Sequence, residues 1–266
     1  MLTKLRGEIY LLSGALLFSF NGIISKIVLL DGLSAWRLTQ IRTGGAFVIL
    51  FAVYFTFRRS ELKTNKKELP WLIAFGVVGV ALVQALYFVA IERLYIGVAL
   101  LIEFTAPIWI LLFLRFVLKK HVPNSLWYAI FLSFTGLILI TQVWSGLSLD
   151  KIGLIAALLD AFALAGYFLI GDRLGKTKTS AAIALWGFGV ASALLFFTLP
   201  AWQFPVEVFS KDMELLGRFS QYSLPGWVLI LWIVVMGTIA PYLLVVSGLK
   251  ILSASTASIF GMIEPV

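Results

Sequence analysis

The sequence predicts an all-α membrane protein that crosses the bilayer many times. Of its 266 residues, 61% are hydrophobic and only 13% are charged, whereas soluble domains average about 45–50% apolar and about 25% charged residues. The apolar residues form continuous runs, and about 20 such residues are enough to span a bilayer as a helix. Continuous runs exclude a transmembrane β-barrel, whose strands alternate in polarity over about 10 residues.

Nine apolar segments follow one another along the chain, and each is a predicted membrane span. The first follows Lys4 and Arg6, as in a signal peptide, but it is too long for an h-region, so we expect a retained helix. The ninth has only 15 residues and reaches about 22 Å of a hydrocarbon core of about 30 Å. We therefore expect nine visible spans of a ten-helix protein whose chain is truncated in the ninth helix. The predicted spans are 8–29, 33–57, 69–91, 96–118, 125–143, 153–171, 180–201, 225–249 and 252–266.

The distribution of Lys and Arg predicts the orientation. With the N-terminus in the cytoplasm, 13 of the 21 basic residues fall in cytoplasmic segments, 4 fall outside and 4 lie within spans. Basic residues concentrate in cytoplasmic loops of membrane proteins, so we expect a multi-pass protein of the cell (plasma) membrane with a cytoplasmic N-terminus. The net charge of +8 then reflects these loops, and no nucleic-acid partner is expected.

The sequence carries a weak internal repeat. Residues 7–20 align with residues 153–166 at an offset of 146, and both begin with Gly. Because five spans separate the two copies, they enter the membrane from opposite sides. Inverted repeats of this kind are common in secondary transporters, so we expect two inverted five-helix repeats, residues 1–143 and 144–266.

A second alignment pairs two prolines within predicted spans. Residues 98–108 align with residues 256–266 at an offset of 158, and Pro107 meets Pro265. Proline removes a helical hydrogen bond and disfavours helix at the preceding residue. Two such breaks at equivalent places near a cavity are expected in a transporter whose two halves rock against each other. The alternative is a pair of static kinks that help the helices to pack.

Four ionisable residues are predicted to lie in one layer, slightly outside the membrane midplane. Counting 1.5 Å per residue from the span ends brings Arg42, Glu103, Asp160 and Glu264 to similar depths. Buried charges in a membrane are functional candidates that usually pair or face a cavity. One carboxyl of this group could exchange a proton with the cavity, or the group could bind an amino acid, with Arg42 holding its carboxylate. The alternative is a static pair between Arg42 and a carboxylate that locks helices together.

Glu103 is the principal candidate, and five uncharged residues within spans join it. Asn21 can hydrogen-bond, and Tyr and Trp buried in hydrocarbon need a partner for their polar atom. These side chains could line the transport path, although packing between helices is the alternative role for each. The predicted substrate-binding residues are Glu103, Arg42, Asn21, Tyr87, Trp109, Asp160, Tyr167 and Trp186, and the predicted coupling or helix-break residues are Pro107, Glu264 and Pro265.

The sequence around several of these residues resembles the EamA branch of the drug/metabolite transporter superfamily. The resemblance covers essentially the whole chain and implies two EamA-like five-helix halves, and a transporter that exports amino acids or other small metabolites. The matching pieces are the Gly-led first span with Asn21 and Lys26, Arg42 early in the second span, the stretch from Tyr87 through Ala99 to Pro107, and the stretch from Tyr242 through Ala257 to Glu264-Pro265-Val266.

Other function classes find little support in the sequence. There is no Cys, the single His121 lies in a loop, and the motifs of metalloproteases, serine hydrolases and phosphate-binding loops are missing. We therefore expect neither an enzyme nor a bound cofactor or metal. The sequence favours a secondary transporter that works by alternating access between two halves. The alternative is a passive channel or pore for small solutes.

Overall fold

The structure is a computed structural model that describes residues 2–57, 59, 63–141 and 150–263. Seven helical stretches in this part of the chain are long and apolar enough to cross a membrane, and Asn124–Leu139 is a shorter apolar helix. The prediction of an all-α membrane protein is therefore confirmed. The seven stretches are Thr3–Leu30, Ala35–Phe57, Leu69–Arg93, Ile96–Val117, Lys151–Gly175, Ser180–Thr198 and Gly226–Leu249.

The first two spans are single helices, whereas the third and fourth are interrupted. Helices α1 (Leu2–Leu30) and α2 (Ala35–Phe57) flank a tight turn in which Gly32 has a φ of 105°, a conformation that favours glycine. The third span comprises α3 (Leu69–Ala74), a π-helical segment (Phe75–Leu82) and α4 (Val83–Arg93). The fourth comprises α5 (Ile96–Glu103), α6 (Ala106–Leu112) and a π-helical segment (Phe113–Val117). Helix α7 (Asn124–Thr141) follows.

The second part of the chain begins with two uninterrupted helices, α8 (Lys151–Gly175) and α9 (Ser180–Thr198). Both begin at a capping side chain, because Asp150 accepts a hydrogen bond from the Gly153 N–H and Thr179 accepts one from the Ala182 N–H. Two short antiparallel strands, β1 (Asp212–Glu214) and β2 (Ser223–Pro225), lie in the connection that follows α9.

The eighth predicted span is observed as Gly226–Leu249. Like the third span, it is interrupted near its middle. It comprises α10 (Gly226–Val234), a π-helical segment (Val235–Ile239) and α11 (Ala240–Leu249). Helix α12 (Ala254–Gly261) follows, and the Ser253 side chain caps it by accepting from the Thr256 N–H. π-Helical segments inside longer helices are rare and frequently occur at functional sites.

The helices pack into one bundle, and its most extensive contacts join helices of the first part of the chain to helices of the second part. Helix α1 packs against α11, α4 against α8, and α2 against α9, while the π-helical segment of the third span packs against both α8 and α9. Small residues allow this close approach. At Gly76, for example, an added Cβ would lie 2.5 Å from the Val190 Cβ and 2.9 Å from the Gly187 carbonyl oxygen.

Ion pairs join loops at the two ends of the bundle. Glu68, just before α3, lies 2.9 Å from the Lys178 Nζ, just before α9. The hydrogen bond from Lys178 lowers the pKa of the Glu68 carboxyl below its ordinary value. Asp31, between α1 and α2, lies 2.8 Å from the Lys211 Nζ in the long connection after α9. These pairs group the loops into two sets, as the alternating spans require.

Candidate substrate cavity

A cavity lies among helices from both parts of the chain. The cavity has a volume of about 80 Å³, which is room for several water molecules. Its wall is mostly apolar and aromatic, with a few polar groups, as is typical of sites for small molecules. The lining residues are Leu11, Ala15, Phe18, Asn21, Arg42, Val83, Gln84, Tyr87, Glu103, Phe104, Leu164, Tyr167, Phe168, Tyr242, Val245, Ala257 and Gly261.

Arg42 is held at the cavity wall by the interrupted eighth span. Its side chain is 3% exposed. The Nε donates a hydrogen bond to the Thr238 hydroxyl over 2.9 Å, and a terminal nitrogen donates to the Gly237 carbonyl over 2.8 Å. The guanidinium also lies over the ring of Phe88, 5.1 Å from its centroid. The charge is therefore buried with partners, as a buried guanidinium requires.

The sequence of the eighth span removes the α-helical hydrogen-bond donor of the Gly237 carbonyl. In an α-helix this carbonyl would accept from the N–H four residues later, but that residue is Pro241, which has no N–H. The Thr238 hydroxyl meanwhile donates back to the Ile233 carbonyl over 2.7 Å. Gly237 also lets α1 approach, because an added Cβ would lie 2.1 Å from the Oδ1 of Asn21. The break thus positions both Arg42 and Asn21.

Glu103 lies at the second interruption, where the fourth span breaks. It is the last residue of α5, and Phe104 and Thr105 separate it from α6. The same rule applies here, because Pro107 has no N–H to donate to the Glu103 carbonyl four residues earlier. The Glu103 side chain is 8% exposed and lines the cavity, and its Oε2 has no hydrogen-bond partner among the described residues.

Aromatic rings surround these polar groups, and Tyr242 lies at their centre. Its ring packs edge-on against those of Phe18, Tyr167 and Phe188, at centroid distances of 5.6, 5.5 and 4.9 Å. The Gln84 amide nitrogen donates a hydrogen bond to its hydroxyl over 3.2 Å. Tyr242 also interacts electrostatically with Arg42, Glu103 and Asp160, so these charges lie around one side chain.

The structure brings together five of the eight residues that the sequence predicts to bind substrate. Asn21, Arg42, Tyr87, Glu103 and Tyr167 all line the cavity. Pro107, a predicted helix-break residue, is buried in the first turn of α6, directly after the break at Phe104 and Thr105. The predicted residues Glu264 and Pro265 lie outside the described part of the chain.

The other three predicted residues are not among the cavity-lining side chains. Trp109 donates its indole N–H to the Thr105 hydroxyl over 3.1 Å, next to the break in the fourth span. Asp160 is buried in α8, within electrostatic reach of Tyr242. Trp186 is a half-buried residue of α9 that packs on the main hydrophobic core.

Sequence reasoning did not select Gln84, Thr238 or Tyr242 as site residues. Gln84 and Thr238 are uncharged polar residues within predicted spans, a weak signal that they share with many helix-packing residues. Tyr242 directly follows Pro241, and a proline within a span was the available signal for it.

A bundle of membrane-spanning helices around a cavity that holds a few buried polar groups, with helix breaks at its wall, is typical of membrane transporters. The comparison with known families agrees. The EamA-like transporter family model matches residues 5–142 and again residues 151–266. The chain therefore belongs to the EamA-like transporter family, and the predicted resemblance is confirmed. It is a multi-pass membrane transporter, in contact with the lipid bilayer and with a small-molecule substrate.

Individual relatives agree with this assignment. The chain is 25% identical to "Uncharacterized transporter YdfC" of Bacillus subtilis (strain 168), over 86% of this chain and 69% of that protein. It is 24% identical to "Uncharacterized inner membrane transporter YicL" of Salmonella typhimurium, over 98% of this chain and 84% of that protein. A solved crystal structure superposes with a TM-score of 0.70 at 15% identity, covering 97% of this chain and 84% of the other, which supports the fold alone.

Proposed function

We propose that the protein is a secondary transporter that moves a small metabolite, such as an amino acid, by alternating access of two inverted halves to one cavity. The observation that carries this proposal is the composition of the cavity wall. Helices α1, α2, α4 and α5 contribute to it from the first half, and α8, α11 and α12 contribute from the second. A movement of one half against the other would open this shared space to either side of the membrane.

The division into halves, residues 1–143 and 144–266, is supported by the two separate family matches. The packing supports it as well. In an inverted repeat, α8 is the counterpart of α1, and the span that ends in α11 is the counterpart of the span that ends in α4. The contact of α1 with α11 then corresponds to the contact of α8 with α4. A two-fold arrangement requires such equivalent pairs.

Matching interruptions in the two halves support the inverted repeat further. The third and eighth spans both contain a π-helical segment. Helix α5 (Ile96–Glu103) and helix α12 (Ala254–Gly261) have equal lengths and lie at the same offset of 158 residues that aligns Pro107 with Pro265. The prediction of ten helices stays a prediction.

The roles that we propose for the site residues follow from their geometry. Glu103, with Asn21, Tyr87 and Tyr167, contacts the substrate, while Arg42 links the cavity to the break in the eighth span. The break before Pro107 is the place where the fourth span bends during transport.

We further propose a cell-membrane location, a cytoplasmic N-terminus and export as the direction of transport. The orientation is supported by the excess of basic residues in the loops on the side of the N-terminus, and the direction by the family resemblance. The chain has no Cys, so single cysteines report on sidedness directly. Ser210→Cys in the long connection should react with a membrane-impermeant maleimide on intact cells, whereas Lys66→Cys should react only after the cells are opened.

Reconstitution into liposomes tests the transport mechanism. Vesicles preloaded with unlabelled amino acid should accumulate the labelled amino acid above its outside concentration, because a carrier exchanges substrate across the membrane. A panel of amino acids, with and without a pH gradient, would also test coupling to protons. Flux that rises linearly with concentration and shows no such counterflow would instead support a passive channel or pore.

A further inference from the structure

Several polar atoms in the cavity wall are buried without a hydrogen-bond partner in the described part of the chain. Glu103 Oε2, Gln84 Oε1 and the Tyr167 hydroxyl have no hydrogen-bond partner among the described residues. All three residues line the cavity, and they are 8%, 3% and 4% exposed. Because buried polar atoms in proteins are normally hydrogen-bonded, these atoms need partners inside the cavity, either water or a ligand that replaces it. Two of the three are acceptors only, so the ligand must bring donors.

The charges around the cavity favour a ligand of positive charge. Arg42, Glu103 and Asp160 all interact electrostatically with Tyr242, so among the described residues two acids and one base surround this side chain. Arg42 already donates to the Gly237 carbonyl and the neighbouring hydroxyl. A cation beside a buried carboxyl group favours its ionised form, so a cationic ligand would complement Glu103 at the cavity wall.

We infer that the cavity recognises the protonated amine of its substrate, with Glu103 as the binding carboxylate. An alkylammonium group has three donors and no acceptor, which complements Glu103 Oε2, Gln84 Oε1 and the Tyr167 hydroxyl. The rings of Tyr87 and Phe104 provide faces for the cation and for an apolar or aromatic substituent. This inference rests on the proposed transport function and narrows it. The amine carries recognition and a substrate carboxylate is not required, since Arg42 directs its Nε and one terminal nitrogen to the eighth span.

Three small molecules of similar shape test separately whether the amine or the carboxylate of an amino acid is recognised. Phenethylamine has only the amine, phenylalanine has amine and carboxylate, and phenylpropionate has only the carboxylate. Isothermal titration of the purified full chain in detergent near pH 7 should give binding of phenethylamine and phenylalanine. Phenylpropionate should bind at least about tenfold more weakly, since a charge-assisted hydrogen bond contributes about one order of magnitude or more.

Variants at Glu103 test the assignment of the carboxylate. Glu103→Gln keeps the shape of the side chain but removes its charge, and should weaken phenethylamine binding about tenfold or more. Glu214→Gln is the matched control, because it removes the same charge from an exposed strand of the long connection; it should leave binding unchanged. If Glu103→Gln fails to give a monodisperse protein, Tyr167→Phe removes one acceptor and should weaken phenethylamine binding several-fold.

The possible outcomes distinguish this inference from the proposed function. Binding of phenylpropionate as tight as that of phenethylamine overturns the inference, as does a lack of binding for all three molecules. If an anion shows counterflow in liposomes, the carrier mechanism stands and the amine inference falls. If phenethylamine binds through Glu103 but shows no counterflow, the inference stands and the carrier mechanism falls.

Discussion

The contact between Arg42 and the Gly237 carbonyl gives a sharp test of how the eighth span is built. Arg42→Lys keeps the positive charge but replaces the fork of the guanidinium by a single ammonium, which can reach fewer of the two acceptors. The loss of one hydrogen bond to a charged group costs about 1.5–3 kcal/mol. At about 2–4 °C per kcal/mol for a chain of this size, the unfolding temperature should fall by about 3–12 °C.

A second variant decides whether this loss arises at the Gly237 carbonyl. Pro241→Ala restores an N–H four residues after Gly237, and this N–H can donate to the same carbonyl. In the Pro241→Ala background, the Arg42→Lys substitution should therefore cost about 1 kcal/mol less than in the native chain, as a double-mutant cycle would measure. The assay is thermal unfolding in detergent, followed by the fraction of monodisperse protein. Equal costs in the two backgrounds would refute the argument that Arg42 replaces the missing helical donor.

Three further substitutions test the packing, the loop contacts and the helix starts. Gly76→Ala should destabilise the protein by about 1–3 kcal/mol, because its Cβ would clash with Val190 and the backbone of α9. Gly136→Ala, inside α7, meets nothing within 4 Å, and should stabilise the protein by up to about 1 kcal/mol in the same thermal assay because Ala favours the helix. The lowered pKa of Glu68 means that its contact with Lys178 stabilises the fold above the ordinary carboxyl pKa and is lost as the pH falls through the folded-state value. Unfolding temperatures measured across that acidic range should drop more steeply for the native chain than for Glu68→Gln, and parallel curves would contradict this. Asp150→Ala removes the cap of α8 and should cost about 1 kcal/mol, whereas an unchanged unfolding temperature would show that the cap contributes nothing.

Hydropathy predicted the long helices well, because length and apolar composition alone determine which segments can span a membrane. The predicted span 33–57 is observed as Ala35–Phe57, and the predicted span 225–249 as Gly226–Leu249. The difference of one or two residues arises at helix ends, where capping decides the boundary.

Interruptions within spans were only partly predictable. Pro107 signals the break in the fourth span, because a missing N–H is a property of the residue itself. The π-helical segment Phe75–Leu82 contains no proline. It packs closely against α8 and α9, where Gly76 meets Val190, so its geometry depends on neighbours that are far away in the sequence.

The candidate site was only partly predictable from the sequence. Counting residues along each span selected Arg42 and Glu103 as charges at similar predicted depths, and both line the cavity. The same count does not reveal which face of the helix meets the cavity. Trp109 was therefore predicted to bind substrate, but its indole N–H donates to Thr105 and it does not line the cavity. For the same reason, Tyr242 was not selected, although it does line the cavity.

Access to the cavity from both sides of the membrane is the most direct test of alternating access. The chain lacks cysteine, so Ala15→Cys places a single thiol in the cavity wall, and Ala163→Cys, buried in α8 outside the cavity-lining set, serves as the control. Labelling with a membrane-impermeant maleimide should modify Ala15→Cys in both right-side-out and inside-out vesicles, and Ala163→Cys in neither. Labelling of Ala15→Cys from only one side, or from neither side, would contradict the account of one cavity that opens alternately to the two faces.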